Sequence, residues 1–186
     1  FSDIAIIYNE HIEQKHSTME ERIFDASMIQ EWVDKFNSRE ELFVLKRGTG
    51  NIGWAIIKKY SDRKGYRFAC ETAVYIRGNE TRKGYGSFIK KSLILRCKAL
   101  DYHHLVAKIF AINKASIQYN LNFGYEIVGR QKEIGFKNGQ WTDVVIINNV
   151  LGDQEFTVDG FKMYYDSNNK NVLLSGEIGG DWKLYN

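Results

Sequence analysis

The stretch Thr81 to Ser87, reading TRKGYGS, constrains the chain more than any other. It follows an apolar run, Phe68 to Ile76, that reads as a strand, and it opens a segment, Tyr85 to Leu100, that reads as a helix. Gly84 and Gly86 leave no Cβ in the way of a ligand approaching the backbone. The first N–H groups of the helix lack intrahelical partners and lie at the positive end of its dipole, with Arg82 and Lys83 beside them. Such a place suits a phosphate or pyrophosphate. A Walker loop needs Lys and then Ser or Thr after its last glycine, and Gly86 is followed by Ser87 and Phe88. A dinucleotide fingerprint needs a small residue three places after Gly86, where Ile89 stands. Taken by itself, the loop reads best as a glycine turn capping an ordinary helix.

The 186 residues suffice for one domain of ordinary size, or one domain with an appendage. At 44% hydrophobic and 14% aromatic residues, the chain can build a real core. A net charge of +3 is too mild to imply nucleic-acid or membrane binding, although the pI near 8.7 suits an anionic cofactor. No apolar run reaches bilayer-spanning length, and no signal peptide is visible. Cys70 and Cys97 give no disulfide framework, so a reduced, cytoplasmic setting is expected. His103 and His104 have no further ligand at metal spacing, and no metal is expected.

In order, the pattern predicts a helix capped by Ser2 or Asp3 with Ile4, Ile7, Tyr8 and Ile12 on one face. A polar loop over 16–21 precedes a second helix capped by Asp25 or Ser27. Strands follow at Leu42–Leu45 and Ile52–Ile57 around a turn at Gly48–Asn51, then the strand and helix about the glycine loop. An apolar strand at His104–Ile112, typical of the middle of a sheet, leads to a short helix stopped by Gly124. Two last strands, Tyr125–Phe136 and Thr142–Val150, meet at an Asn138-Gly139 turn. This is an α/β arrangement, with a main domain over 1–151. The polar residues 152–186 read as an appended β-hairpin with strands at Phe161–Tyr165 and Val172–Leu174.

Together these pieces resemble the GNAT superfamily of acetyl-CoA-dependent N-acetyltransferases. Its pyrophosphate loop reads Arg or Gln, two residues, Gly, one residue, Gly or Ala, and here Thr81 stands in the Arg/Gln place. The resemblance covers roughly Ser2 to Val150 and is closest to the phosphinothricin and methionine sulfoximine/sulfone acetyltransferases. It is carried by IYNEHI (7–12), GYRFACETAVYI (65–76), the loop at 81–87, NKASIQYNLNFGY (113–125) and GFKNGQWTD (135–143), the last specific to that branch. It implies the GNAT fold, a mixed, mostly antiparallel sheet flanked by helices, here with a short C-terminal β extension. Members begin with a strand before the first helix and usually end near the position of Val150, whereas this chain starts at that helix. The resemblance also implies acetyl-CoA as donor, a small amine as acceptor, and a homodimer.

Acetyl transfer to an amine needs the amine neutral, the thioester carbonyl held and polarised, and a thiolate that leaves. Free amines have pKa values of about 8 to 10, so a base is useful. Glu71 sits in a strand among Phe68, Ala69, Ala73 and Val74, where partial burial makes a carboxylate a better base. From the residues alone a half-exposed strand Glu paired with Lys or Arg is the favoured reading. The resemblance makes it the base. It also implies that the backbone at Val74, Tyr75 and Ile76 pairs with the pantetheine arm, the N–H of Val74 holding the thioester oxygen. It adds Arg82, Lys83, Gly84, Tyr85, Gly86, Ser87, Asn113 and Ser116 as cofactor contacts, Asn113 doubling as a helix cap. Many members carry Tyr, and the close branch His, where this chain has Asn120, an amide able to hydrogen-bond the sulfur but not to protonate it. Tyr119 lies about 100° further round the helix and is expected to point elsewhere. For the acceptor the expected contacts are Tyr66, Arg67, Thr72, Lys137 and Trp141, a guanidinium suiting a carboxylate, with Thr18 and Glu20 at the border. Cys70 should point away from Glu71. A non-catalytic CoA- or amino-acid-binding module on the same fold is the alternative.

Overall fold

The computed structural model describes residues 1–14 and 16–152, and the backbone of three further strands at 161–166, 171–176 and 182–183. Helix α1 (Ser2–Glu13) and helix α2 (Ala26–Asp34) come first. Strands β1 (Glu41–Arg47), β2 (Gly50–Lys59) and β3 (Ala69–Ile76) follow, then α3 (Tyr85–Ala99), β4 (His104–Phe110), α4 (Lys114–Leu121), β5 (Glu126–Lys137) and β6 (Gln140–Val150). The six strands form one sheet in the order β1-β2-β3-β4-β6-β5. All neighbours are antiparallel except β3 and β4. The α/β sheet expected from the sequence is present, with β4 interior.

Both faces of the sheet are covered, which explains the unbroken buried run Ile52–Ile57 in β2. Ala55 and Ile57 pack with Cys70 of β3, with Ile89, Leu93 and Cys97 of α3 and with Ile117 of α4. Trp54 and Ile56 point the other way, against Ile4, Ile7, Tyr8 and Ile12 of α1 and Ile29 of α2. The amide of Asn9 staples α1 to the chain entering α2, donating to the Phe24 carbonyl at 2.8 Å and accepting from the Phe24 N–H at 2.9 Å.

The local signals act as their chemistry requires, with one exception. Asp25 caps α2, accepting from the Met28 N–H at 3.0 Å. Asn138 and Gly139 both have positive φ, 50° and 76°, as a two-residue turn between right-twisted strands demands. The exception is α1, where Ser2 already lies inside the helix and Phe1 is the cap residue, without a side-chain bond. Asp3 does not cap either, because its carboxylate accepts from Asn51 Nδ2 at 2.7 Å and faces Arg77 at 3.8 Å.

In the tail, β7 (Phe161–Asp166) and β8 (Asn171–Gly176) form an antiparallel hairpin, with β9 (Trp182–Lys183) paired to β8. The turn expected within it and the rest of the 152–186 extension lie outside the described residues. No helix among the described residues is long and apolar enough to cross a membrane.

One ion pair is deep in this framework. Arg96 of α3 grips Glu41 of β1 through two nitrogens, with side chains only 6% and 13% exposed. Removing one partner leaves the other charged and buried, so Glu41→Ala lowers stability by about 3–5 kcal/mol. Urea unfolding monitored by tryptophan fluorescence measures the loss.

Candidate active site

The site begins where the sheet comes apart. Strands β3 and β4 pair at only three positions, Ala69 with His104, Cys70 with Leu105 and Glu71 with Val106. Beyond them β3 stays bonded to β2 as far as Ile76, and β4 to β6 as far as Phe110. The facing edges of Thr72–Ile76 and Ala107–Phe110 therefore diverge without a strand between them. Thr72 marks the apex: its hydroxyl reaches the Val106 carbonyl at 3.4 Å and the Tyr125 hydroxyl at 3.2 Å. A wedge of about 90 Å³ opens from there, lined by Val74, Ala107, Ile109, Ser116 and Asn120 among others.

The wide end of the wedge faces the starts of two helices. Gly84 caps α3 with φ of 86°, a left-handed conformation that an L side chain adopts only under strain. A Cβ built there would meet nothing within 4 Å, so conformation rather than crowding calls for glycine. The first bond of the helix runs from the Phe88 N–H to the Gly84 carbonyl, which leaves the amides of Gly86 and Ser87 without partners inside the helix. Arg82 is exposed; Lys83 pairs with Glu80 at 3.0 Å, and the Thr81 hydroxyl donates to the Gly78 carbonyl at 3.0 Å.

At the start of α4, Asn113 Oδ1 accepts from the Ser116 N–H at 3.1 Å, the expected cap. Its Nδ2 donates to the His16 carbonyl at 3.3 Å, so both ends of the amide are engaged. Asn120 donates from Nδ2 to the Ser116 carbonyl at 2.8 Å, while its Oδ1 is buried with no partner. Tyr119 does not point elsewhere. Its hydroxyl donates to the Gly86 carbonyl at 2.5 Å, tying α4 to the first turn of α3.

On the other face of β3 lies a cleft of about 580 Å³ walled by Tyr8, Trp32, Trp54, Phe110 and Val144. It adjoins the wedge, since Thr72, Ala73, Lys108 and Phe110 line both. Glu71 projects into it and accepts from Lys108 Nζ at 2.7 Å. Glu71 is partly buried, as expected, with its side chain 39% exposed where the cleft is open above it. Lys58 stands opposite Glu71 in the register of β2 and β3 and lines the same cleft. Glu71 is thus flanked by a lysine on each neighbouring strand. Cys70, one residue back, faces the opposite core, its thiol 3.8 Å from that of Cys97.

Four of the five expected acceptor contacts are not in this cleft, and Thr72 is. Tyr66 and Arg67 precede the paired start of β3, at the end of the sheet away from the wedge mouth. There Tyr66 packs on Tyr60 and Arg67 lies 4.3 Å over the Phe68 ring. Trp141 is 65% exposed and leans on Phe136. Lys137 is buried, its ammonium donating to the carbonyls of Thr18 at 2.6 Å, Glu20 at 2.7 Å and Ile12 at 3.4 Å. It holds the loop whose Ser17 and Thr18 line the cleft. Lys108, Tyr119 and Lys90 were missed. A lysine within the otherwise apolar run HLVAKIF was the available signal for Lys108, and a lysine four residues after Gly86 and three before Leu93 was that for Lys90. Among the described residues no three His, Cys, Asp or Glu gather to hold a metal.

This geometry has relatives. Residues 1–146 match the model of the acetyltransferase (GNAT) domain. An L-methionine sulfoximine/L-methionine sulfone acetyltransferase of Pseudomonas aeruginosa is 30% identical over 146 residues, covering 77% of this chain and 85% of the relative. A phosphinothricin N-acetyltransferase of Alcaligenes faecalis is 28% identical over 157 residues, covering 83% and 80%. Among solved structures, a GNAT superfamily phosphinothricin acetyltransferase from Sinorhizobium meliloti in complex with AcCoA superposes with a TM-score of 0.74 at 26% identity, covering 83% of this chain and 86% of the other. The split sheet, the glycine-started helix and these matches agree: the chain belongs to the GNAT family of N-acetyltransferases, which draw their acetyl group from acetyl-CoA.

Proposed function

We propose that this chain transfers acetyl from acetyl-CoA to the primary amine of a small amino-acid-like molecule, of the methionine sulfone or phosphinothricin kind, with Glu71 as general base. The observation that carries the reading is the end of β3–β4 pairing at Glu71 and Val106, which exposes two strand edges directly beside that carboxylate.

The residues present fit the donor. The first-turn amides of α3 at Gly86 and Ser87, at the positive end of the helix dipole and with Arg82 and Lys83 outside them, would take the diphosphate. The free edge of β3 at Val74, Tyr75 and Ile76 would take the extended arm as an added strand, with Asn113, Ser116 and Asn120 along its other side. When bound, acetyl-CoA supplies an acetyl carbon activated as a thioester. The Val74 N–H would hold the carbonyl oxygen and stabilise the charge that gathers there. Glu71 would take the proton of the incoming amine, held in place by Lys108 at 2.7 Å.

The cleft supports an amino-acid acceptor. Among the described residues Lys58 and Lys108 are its two lining cations, and since Lys108 holds Glu71, Lys58 would meet a carboxylate while Glu71 meets the amine. Trp32, Trp54 and Tyr8 close the back wall, which suits a short side chain. A cytoplasmic homodimer is part of the same reading. Exposed Ile134, Phe136 and Trp141 on the β5–β6 hairpin support the dimer, and two free thiols support a reducing compartment.

Thiol release from acetyl-CoA, measured across a panel of amino acids, methionine sulfone and phosphinothricin, tests the proposal. Glu71→Gln lowers kcat about 100-fold or more while leaving acetyl-CoA binding intact. Tight acetyl-CoA binding without thiol release from any amine, and without effect of Glu71→Gln, would instead indicate a non-catalytic module. Lys58→Met raises KM about 10-fold for amino-acid acceptors and little for the matching amines without a carboxylate. Tyr119→Phe loosens the Gly86 turn and weakens CoA binding by roughly 5-fold in calorimetry, the effect of one hydrogen bond.

A further inference from the structure

Lys90 lies one helical turn beyond Gly86, on the face of α3 that carries Leu93, Ile94 and Cys97 into the core. It is 2% exposed, with Nζ 4.1 Å from the centre of the Tyr125 ring. Among the described residues it has that ring as its cation contact and no hydrogen bond or salt bridge. An ammonium so placed is costly, and a leucine or methionine would fill the same space without that cost.

Its surroundings give a use for it. Lys90 lines the wedge beside Val74, Ala107, Tyr119 and Asn120. The Nδ2 of Asn120 is committed to Ser116, so what that residue offers is the unpartnered Oδ1, an acceptor. The Tyr119 hydroxyl is committed to Gly86, and the Lys108 ammonium to Glu71. An acyl transfer in the wedge needs a group that meets the negative charge of the departing sulfur, and Asn120 cannot.

We propose, resting on the reading above, that Lys90 is the proton donor to the departing thiol of CoA. The acceptor nitrogen bonds to the acetyl carbon and gives its proton to Glu71. The carbon–sulfur bond breaks with its electron pair on sulfur, and the Lys90 Nζ–H proton moves to that sulfur. Lys90 then regains a proton from water, and Glu71 returns one to it. Burial is the main reason the Lys90 ammonium falls from the usual 10.5 to about 7, with the thiols of Cys97 on α3 and Cys70 on β3 opposing. Tyr125 ahead of β5, Tyr119 on α4 and Lys108 on β4 are the further titratable groups near it, with His16 and Tyr75 also lining the wedge. A proton held this loosely is suited to transfer near neutral pH.

The same shift shows that the position is replaceable. An unfolded chain keeps this proton up to about 10.5, whereas the folded chain releases it near 7. The resulting penalty is full below pH 7 and fades as pH rises towards 10.5. Lys90→Met therefore folds at least as stably as the native chain at neutral pH.

The test uses the product, CoA, with no acceptor, and reads the ultraviolet absorbance of the bound thiolate against pH, with desulfo-CoA binding as control. In the native protein the bound thiol ionises at lower pH than free CoA. In Lys90→Met it ionises about one pH unit higher than in the native protein, a tenfold change in thiolate, while desulfo-CoA binds as before. Identical titrations in the native protein and the variant overturn the proposal and leave the acetyltransferase reading standing. Should the variant not fold, a native-bound thiol that titrates like free CoA overturns it equally. Failure of the native protein to bind either CoA or desulfo-CoA overturns both.

Discussion

Buried backbone groups must be paired, and this fold leaves a set of them open between β3 and β4. Everything near the site answers to that gap. Thr72 closes its narrow end with a hydroxyl that serves both a strand carbonyl and Tyr125. The two helices that follow the diverging strands start at its wide end, so the positive ends of their dipoles face the same opening. A ligand that combines an extended amide-bearing arm with an anionic end satisfies both needs together, and a metal ion or a flat aromatic ligand would satisfy neither.

The period-two alternation of β3 divides the labour. Glu71, Ala73 and Tyr75 belong to the face covered by α1 and α2, and Cys70, Val74 and Ile76 to the face covered by α3 and α4. One strand therefore presents a carboxylate to the open cleft and an apolar row to the core. The wedge passes between the two, which lets a donor held on one side meet an acceptor held on the other. The aromatic cluster of Tyr8, Trp54 and Tyr75 stiffens the wall of the cleft, with ring centres 4.4–5.5 Å apart.

Much of the framework was legible because its signals are local. Gly84 and Gly139 sit where φ must be positive, Asn113 and Asp25 cap the helices they precede, and the apolar spacing of α1 and α3 matches their buried faces. The acceptor contacts were less legible because they depend on distances across the sheet. Tyr66 and Arg67 are only a few residues from Glu71 in sequence, yet they sit in a tight helical turn before β3 begins at Ala69, off the end of the strand that carries Glu71. Lys137 reads as a surface cation until the loop around Thr18 folds over it. Lys108 and Lys90 were visible as lysines in apolar surroundings, but a single charge in such a run does not say which pocket it enters. The α1 cap failed for the same reason, since Asp3 is claimed by Asn51 and Arg77 from the β-sheet side.

The buried ammonium of Lys137 joins parts of the chain that are more than a hundred residues apart in sequence. The wall formed by Ser17 and Thr18 therefore owes its position to the β5–β6 hairpin rather than to its own short loop. Proteolytic nicking within 16–21 would consequently act as a gauge of hairpin opening, reporting fluctuations at one edge of the sheet through a cut made beside the first helix.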